Sequence, residues 1–525
     1  MRPVLIPFAV LLAAPAGGAP PGPRAEPRVT VTTYRYDLAR SGANLRETVL
    51  TPEAVASGSF GKVWARRVDG EVYAQPLYLP GTEVPGRGTR TVLLVATEHD
   101  TVYALDADRR GRGLWKRRLA RGRGVTPVPS EDTECGNLAP EIGITGTPVV
   151  DPATGTAYLV ARTKEDGAWV QRLHALEVAT GRDRPGSPVE IEATVPGTGE
   201  GGTDGLVPFD PLRNHQRCGL LLLEGTVFVA WASQCDVGPY HGWVLGFDAE
   251  TLERTATFCA TPDGGEGGIW MSGGAPAADG AGSIYLTTGN GTFSAASAGR
   301  DLGDAAVRLD PAAGLDPRDF FAPFDQAILE AEDIDLGSGG VLLLPDQPGP
   351  RPHLLLFGSK AGSIYLLDRD DLGGYDGVSD AGAVQVLPEA AGPVFGTPAH
   401  WNGRVYFQGA DDRLRCYALQ GGALSTAPVS MSSVFMGFPG ASPVVSADGT
   451  GGGVVWALQT DDFAAGGPAI LHAFDALDLA DEIWRSDAAG RRDEAGPAVK
   501  FAVPVVAEGR VFVGAGGRVT AYGLR

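Results

Sequence analysis

The chain has 525 residues, 75 of them Gly and 40 Pro, with a formal net charge of −20. That sign excludes whole-molecule attraction to nucleic-acid phosphates or anionic membranes. Gly and Pro interleaved with Val, Leu, Tyr and Trp point to many short strands and turns rather than to disorder.

Residues 1–19 carry one basic residue, a short apolar run and then small residues, the layout of a secretory signal peptide with Ala14-Pro15-Ala16 as cleavage site. The expected location is therefore exported, periplasmic or extracellular. That run is too short to span a bilayer and no later stretch is long enough, so the chain is not expected to cross a membrane. Residues 20–60 are expected to form a lead-in segment and 61–525 the folded body.

Along that body one phrase recurs: a β-rich run, an apolar residue, Ala or Gly, another apolar residue, often Asp. It reads TVYALDA at 101–107, RLHALEVATG at 172–181, WVLGFDAET at 243–251 and AVRLDPAAG at 306–314. It returns as SIYLLDRDDLGG at 363–374, RLRCYALQGG at 413–422, ILHAFDALDL at 470–479 and RVTAYGL at 518–524. Eight copies at roughly sixty-residue spacing are the signature of a propeller or a solenoid. Each copy follows another strand candidate, and before that a third, often with Pro, which suits an innermost strand with one unpaired edge. Some copies end in an outer strand with Trp, as in GLWKRRLA at 113–120. The last copy ends at Arg525 without one, whereas GKVWARRVDG at 61–70 is an orphan outer strand. The sequence thus predicts an all-β fold, an eight-bladed propeller of four-stranded antiparallel blades closed by an N-terminal strand around Trp64.

The five cysteines, Cys135, Cys218, Cys235, Cys259 and Cys416, form no CxxC or CxxCH spacing, which argues against a zinc ribbon and attached c-type haem. One or two disulfides remain open in an exported chain. Glu98-His99-Asp100 lies at a strand-to-strand turn, where successive side chains point to opposite faces, so a loop role is expected. His215, His241 and His400 are dispersed, and no nucleophile elbow or phosphate-cradling loop occurs. Gly-Asn-Gly at 289–291 in YLTTGNGT is compatible with a tight turn, and with a turn that presents the Asn290 oxygen.

From about Tyr34 onward the chain resembles the quinoprotein alcohol dehydrogenases, eight-bladed propellers that bind pyrroloquinoline quinone (PQQ). The resemblance rests on YRYDLARSGANLRETVLTPEAV, ATEHDTVYALDAD, WASQCDVGPYHGWVLGFDAET, IYLTTGNGTF, DIDLGSGGVLLLPD and LLFGSKAGSIYLLDRDDL. It implies Asn290 as a calcium-binding Asn, Asp335 as the catalytic Asp and calcium contact, and Lys360 as the basic residue on the quinone oxygens. Asp236 lies near the family's calcium-binding Glu, and Trp270 falls near the indole beneath the quinone. The implied cofactors are PQQ and Ca²⁺ without haem, and the implied partner is a small alcohol or sugar-like substrate. Calcium takes hard oxygen ligands and polarises a carbonyl, a carboxylate accepts the alcohol proton, and an ammonium stabilises growing negative charge. The vicinal Cys-Cys pair of the family is absent, with Cys135 standing alone.

Each of these residues also has a plainer role: Asn290 as a turn residue, Asp335 as a brace for the glycine loop, Lys360 as a solvated lysine and Trp270 as packing. The alternative function is a cofactor-free propeller that binds proteins or scaffolds envelope assembly, like the propeller lipoprotein of outer-membrane assembly. No lipobox cysteine follows the leader. If the family correspondence holds, Asn290, Asp335 and Lys360 converge on one mouth of the central channel.

Overall fold

A computed structural model describes residues 28–525; the leader expected at 1–19 lies outside them. Eight antiparallel sheets stand in a ring, numbered here as blades in chain order. Blade one contains Leu77–Val84, Gly88–Thr97, Thr101–Asp106 and Arg112–Arg118, from inside to outside. Blade three contains Leu221–Leu223, Thr226–Trp231, Trp243–Asp248 and Arg254–Cys259, and blade four Ala277–Ala278, Ile284–Thr287, Ala306–Asp310 and Asp316–Phe321. Blade five contains Leu342–Leu343, Leu354–Gly358, Ile364–Asp368 and Gln385–Leu387. Blades two, six and seven carry extra pairings beyond four strands.

The second strands read as unbroken apolar runs because neighbouring blades cover both of their faces. Val92, Leu93, Leu94, Val95 and Ala96 are all buried. Polar tips of the large aromatics then need partners, and they find them across blade boundaries. Trp115 Nε1 donates to the Val178 carbonyl at 2.9 Å, Tyr158 OH to Ala249 at 2.7 Å, and Tyr406 OH to Ala476 at 2.7 Å. These carbonyls lie within the repeated phrase of the next blade, so the repeat also spaces the inter-blade pins.

Ring closure takes the expected form. Phe60–Arg67 pairs antiparallel with Arg518–Leu524, with Trp64 opposite Ala521. The outer strand of blade eight is therefore supplied by the chain's beginning, and an edge of seven residues is covered. Among the described residues two short α-helices, Pro52–Ala56 and Gln326–Ala331, interrupt the all-β pattern. At five and six residues they are too short to show helical periodicity.

The segment before the first outer strand does more than lead in. Residues 31–44 run across the innermost strands as a strap. Val31 exchanges backbone hydrogen bonds with Tyr78 of blade one. The Thr32, Leu38, Ala39, Ser41 and Gly42 carbonyls accept from Val150, Ala278, Leu343, His400 and Val445 of blades two, four, five, six and seven. Asn44 Nδ2 reaches the Val506 carbonyl of blade eight at 3.1 Å. Two fully buried guanidinium groups anchor the crossing. Arg35 donates to the Pro443 and Pro398 carbonyls at 2.7 and 2.6 Å, and Arg40 to Pro276 at 2.7 Å. Pro frees the innermost edge of a backbone donor but leaves its carbonyl, which arginine satisfies. The strap sits toward the end where the first and second strands turn, lining a cavity there with Asp279, Pro345 and Asn402. The opposite end carries the loops described next.

Candidate functional site

Three loops meet at that other end. One joins blades three and four and carries Trp270; the second joins Ile284–Thr287 to Ala306–Asp310 and carries Asn290. The third joins the helix Gln326–Ala331 to Leu342–Leu343 and carries Asp335, and Lys360 lies in the turn after Leu354–Gly358.

Asp335 is where they converge. Its Oδ1 accepts from Trp270 Nε1 and from the Asn290 backbone N–H, both at 3.2 Å. Its Oδ2 accepts from Lys360 Nζ at 3.3 Å, and that ammonium also reaches Asp333 at 2.8 Å. The Lys360 backbone N–H closes onto the Asp335 carbonyl at 3.1 Å. Burial pushes the Asp335 carboxyl up to about 6; Lys360 resists this, and the charges of Asp236 and Asp333 add to it. A Cβ on Gly289 would lie 2.3 Å from Asp335 Oδ1, so only glycine lets the TGNG turn approach this closely.

Asn290 turns its amide nitrogen toward Glu266 Oε2 at 3.1 Å, which leaves its carbonyl oxygen as the side-chain acceptor. Glu266 is pushed up to about 7 by burial first, then by Asp236 and Glu200. Nothing in the run GGEGG at 264–268 marks this residue in the sequence. It lacks ligand spacing, and only the fold lays it against Gly291 and Asn290. Asp236 stays at the margin. Its Oδ1 is engaged by Ser233 Oγ at 2.7 Å and Tyr240 OH at 2.8 Å, within its own turn. Among the described residues no three His, Cys, Asp or Glu side chains are close enough to hold a metal between them. A cation here would therefore need the Asn290 carbonyl and oxygens from a bound molecule.

Cys135 has no adjacent cysteine but takes part in one of the disulfides that the sequence left open. It is paired with Cys235, 100 residues away, joining the loop after blade one to the turn that carries Asp236. Adjacent cysteines announce a pair in sequence; two cysteines on separate loops meet only once the ring is built. Cys218, Cys259 and Cys416 are buried thiols. Glu98, His99 and Asp100 do not converge: Glu98 accepts from Gly143 N–H at 2.8 Å, while His99 faces Glu141 at 2.6 Å.

Over the Trp270 ring lies Arg217, its guanidinium 5.9 Å from the indole and 4.5 Å from the Phe501 ring. A cavity beside Arg217, Tyr73 and Phe501 measures about 10 Å³, room for roughly one water molecule.

No protein-family profile matches the chain, and no curated protein matches it in sequence. Among solved structures it is similar to the quinohemoprotein alcohol dehydrogenase ADHIIG from Pseudomonas putida HK5, at 16% identity and a TM-score of 0.62 over 94% of this chain and 80% of that one. A europium-containing methanol dehydrogenase matches at 13% identity and a TM-score of 0.61, over 95% of this chain and 99% of that one. BamB from Moraxella catarrhalis matches at 12% and 0.50, over 88% and 99%. At such identities the likeness shows the fold, an eight-bladed propeller arranged as in the quinoprotein alcohol and methanol dehydrogenases.

Proposed function

We propose that this propeller is an exported quinoprotein-type oxidoreductase acting on a small alcohol or sugar-like molecule, with Asp335 as general base. One observation carries the reading: a buried carboxylate held by an indole N–H, a backbone N–H and an ammonium, beside the carbonyl oxygen of Asn290.

The donor chemistry suits the groups this reading implies. Calcium prefers amide and carboxylate oxygens, which Asn290, Asp335 and Glu266 offer, with Asp236 at the margin. For PQQ, Trp270 offers a flat face, and the buried Arg217, whose Nε has no hydrogen-bond partner, suits an anionic group. A flat ligand on that face would need the space now held by the Arg217 guanidinium. When bound, PQQ supplies the electrophilic carbonyl that accepts the electron pair.

The chain's own residues handle the proton. Oδ1 of Asp335 is already bonded by two N–H donors, so a substrate hydroxyl gives its proton to Oδ2. At neutral pH that carboxyl is mostly ionised, since it sits at about 6. Lys360 Nζ beside Oδ2 keeps the base charged and then offers a proton donor to negative charge forming nearby.

The test is titration of the purified protein with PQQ and Ca²⁺, read by absorbance and by dye-coupled alcohol oxidation. Saturable binding with turnover lost in Asp335→Asn is expected; absence of any binding sinks the reading. The second reading, a cofactor-free scaffold that binds proteins, is favoured by Arg217 lying over the indole. It predicts no PQQ binding and no effect of Asn290→Ala.

A further inference from the structure

The cavity at the strap end of the channel, at the other mouth from Asp335, measures about 660 Å³. That lies within the roughly 300–1,000 Å³ of small-molecule sites, and its walls have their make-up, mostly apolar with a few polar groups. Leu38 of the strap and Leu45 just after it line the cavity together with Leu343 and Leu344 of blade five and Trp401 of blade six.

The polar groups around it are of two kinds. The carboxylates are already satisfied. Asp37 accepts from the Ser41 N–H at 2.9 Å and from the Ser41 hydroxyl. Asp279 accepts from the Ala281 and Ser283 N–H groups, both at 3.0 Å, and from Tyr285 OH at 2.9 Å. Arg369 is different. It is 8% exposed, yet among the described residues its side chain donates no hydrogen bond, and its Nε is buried without a partner. Asp279 at 3.8 Å and Asp346 at 3.9 Å give it ion-pair contacts but lie beyond hydrogen-bond reach.

A buried guanidinium with donors to spare calls for an acceptor. Charge decides which kind. Arg369 is one cation between two carboxylates, Asp37 is a third carboxylate on the wall, and burial holds His400 neutral down to about 4. Negative charge therefore outweighs positive around the cavity, so an entering anion meets net repulsion and an uncharged acceptor does not.

We propose that this cavity binds a small uncharged carbonyl compound with an apolar body. Its oxygen accepts from Arg369, and its body lies along Leu38, Leu45 and Trp401. The strap is tied to blades five and six only through the Ala39 and Ser41 carbonyls on this side, so a ligand between them acts as a clamp. The site is separate from Asp335 and does not depend on the chemistry proposed there.

The experiment is calorimetric titration of the full chain at neutral pH with methyl naphthylacetate and with naphthylacetate, which share a body and differ in the charge of the head group. The ester is expected to bind at least tenfold tighter than the carboxylate, and to slow hydrogen exchange in residues 37–45 but not in 289–291. Arg369→Met keeps the reach of the side chain, removes its donors and should weaken the ester at least fivefold. Leu45→Asp, at a position 49% exposed where the fold has room for the change, should weaken it at least threefold, while Asp335→Asn leaves it within twofold. No binding of the ester, a carboxylate that binds as tightly, or unchanged affinity in Arg369→Met overturns the proposal. Should Arg369→Met fail to fold, Leu45→Asp and the exchange pattern of the unaltered protein decide. No loss of affinity in the one, or no protection of residues 37–45 in the other, overturns it.

Discussion

Replacing Asp335 by Asn should stabilise the protein at neutral pH while removing the turnover proposed for it. The carboxyl ordinarily titrates at 3.8 and here at about 6, because burial disfavours its charge more than Lys360 favours it. At about 1.4 kcal/mol per pKa unit, holding it ionised costs the fold about 3 kcal/mol. The sign follows from linkage. A carboxyl with a raised folded pKa imposes no penalty below about 4, a growing one as pH rises, and the full penalty above about 6. Asn keeps the acceptor for Trp270 and Asn290 but sets an N–H against Lys360, a loss of about 1 kcal/mol. The net gain at pH 7.5 is then about 2 kcal/mol, and it disappears near pH 4. Urea unfolding followed by tryptophan fluorescence, at both pH values with a chelator present, measures it. Calcium should reverse the order, since a ligand at 100 times its Kd adds about 2.7 kcal/mol to the unaltered protein alone. A variant less stable than its parent at pH 7.5, or a difference that does not change with pH, refutes the reasoning.

Three further outcomes are expected. Trp64→Ala should cost about 3–5 kcal/mol in chemical denaturation, because the indole is buried against Phe512 where the first and last segments join; a loss under 1 kcal/mol counts against closure as a source of stability. Arg35→Ala should cost about 2–4 kcal/mol, since it strips two buried carbonyls of a charged donor, and hydrogen exchange should rise in the strap residues 31–44 first. Glu266→Gln should weaken calcium binding about tenfold at pH 8 and by less at pH 6, because the carboxyl sits at about 7 and binds a cation only when ionised; calcium calorimetry at the two pH values checks it.

How much of this could be read from residues alone divides along a physical line. One phrase repeated eight times makes strands, turns and blade number legible, because each blade packs against its neighbours in the same way. The missing outer strand at Arg525 and the spare one at Trp64 made closure legible in the same way, as a local pattern lacking its mate. Asn290, Asp335, Lys360 and Trp270 were legible as motifs in order, and their meeting at one carboxylate followed from the loops all opening at the same end. Glu266, the Cys135–Cys235 bridge, the strap held by Arg35 and Arg40, and the cavity beside Arg369 were not. Each depends on side chains more than twenty residues apart, on different blades or loops, meeting in a closed channel. Periodicity carries information about which face of a strand is buried. It carries none about which residues face one another across a ring, and the closed tertiary structure alone sets that.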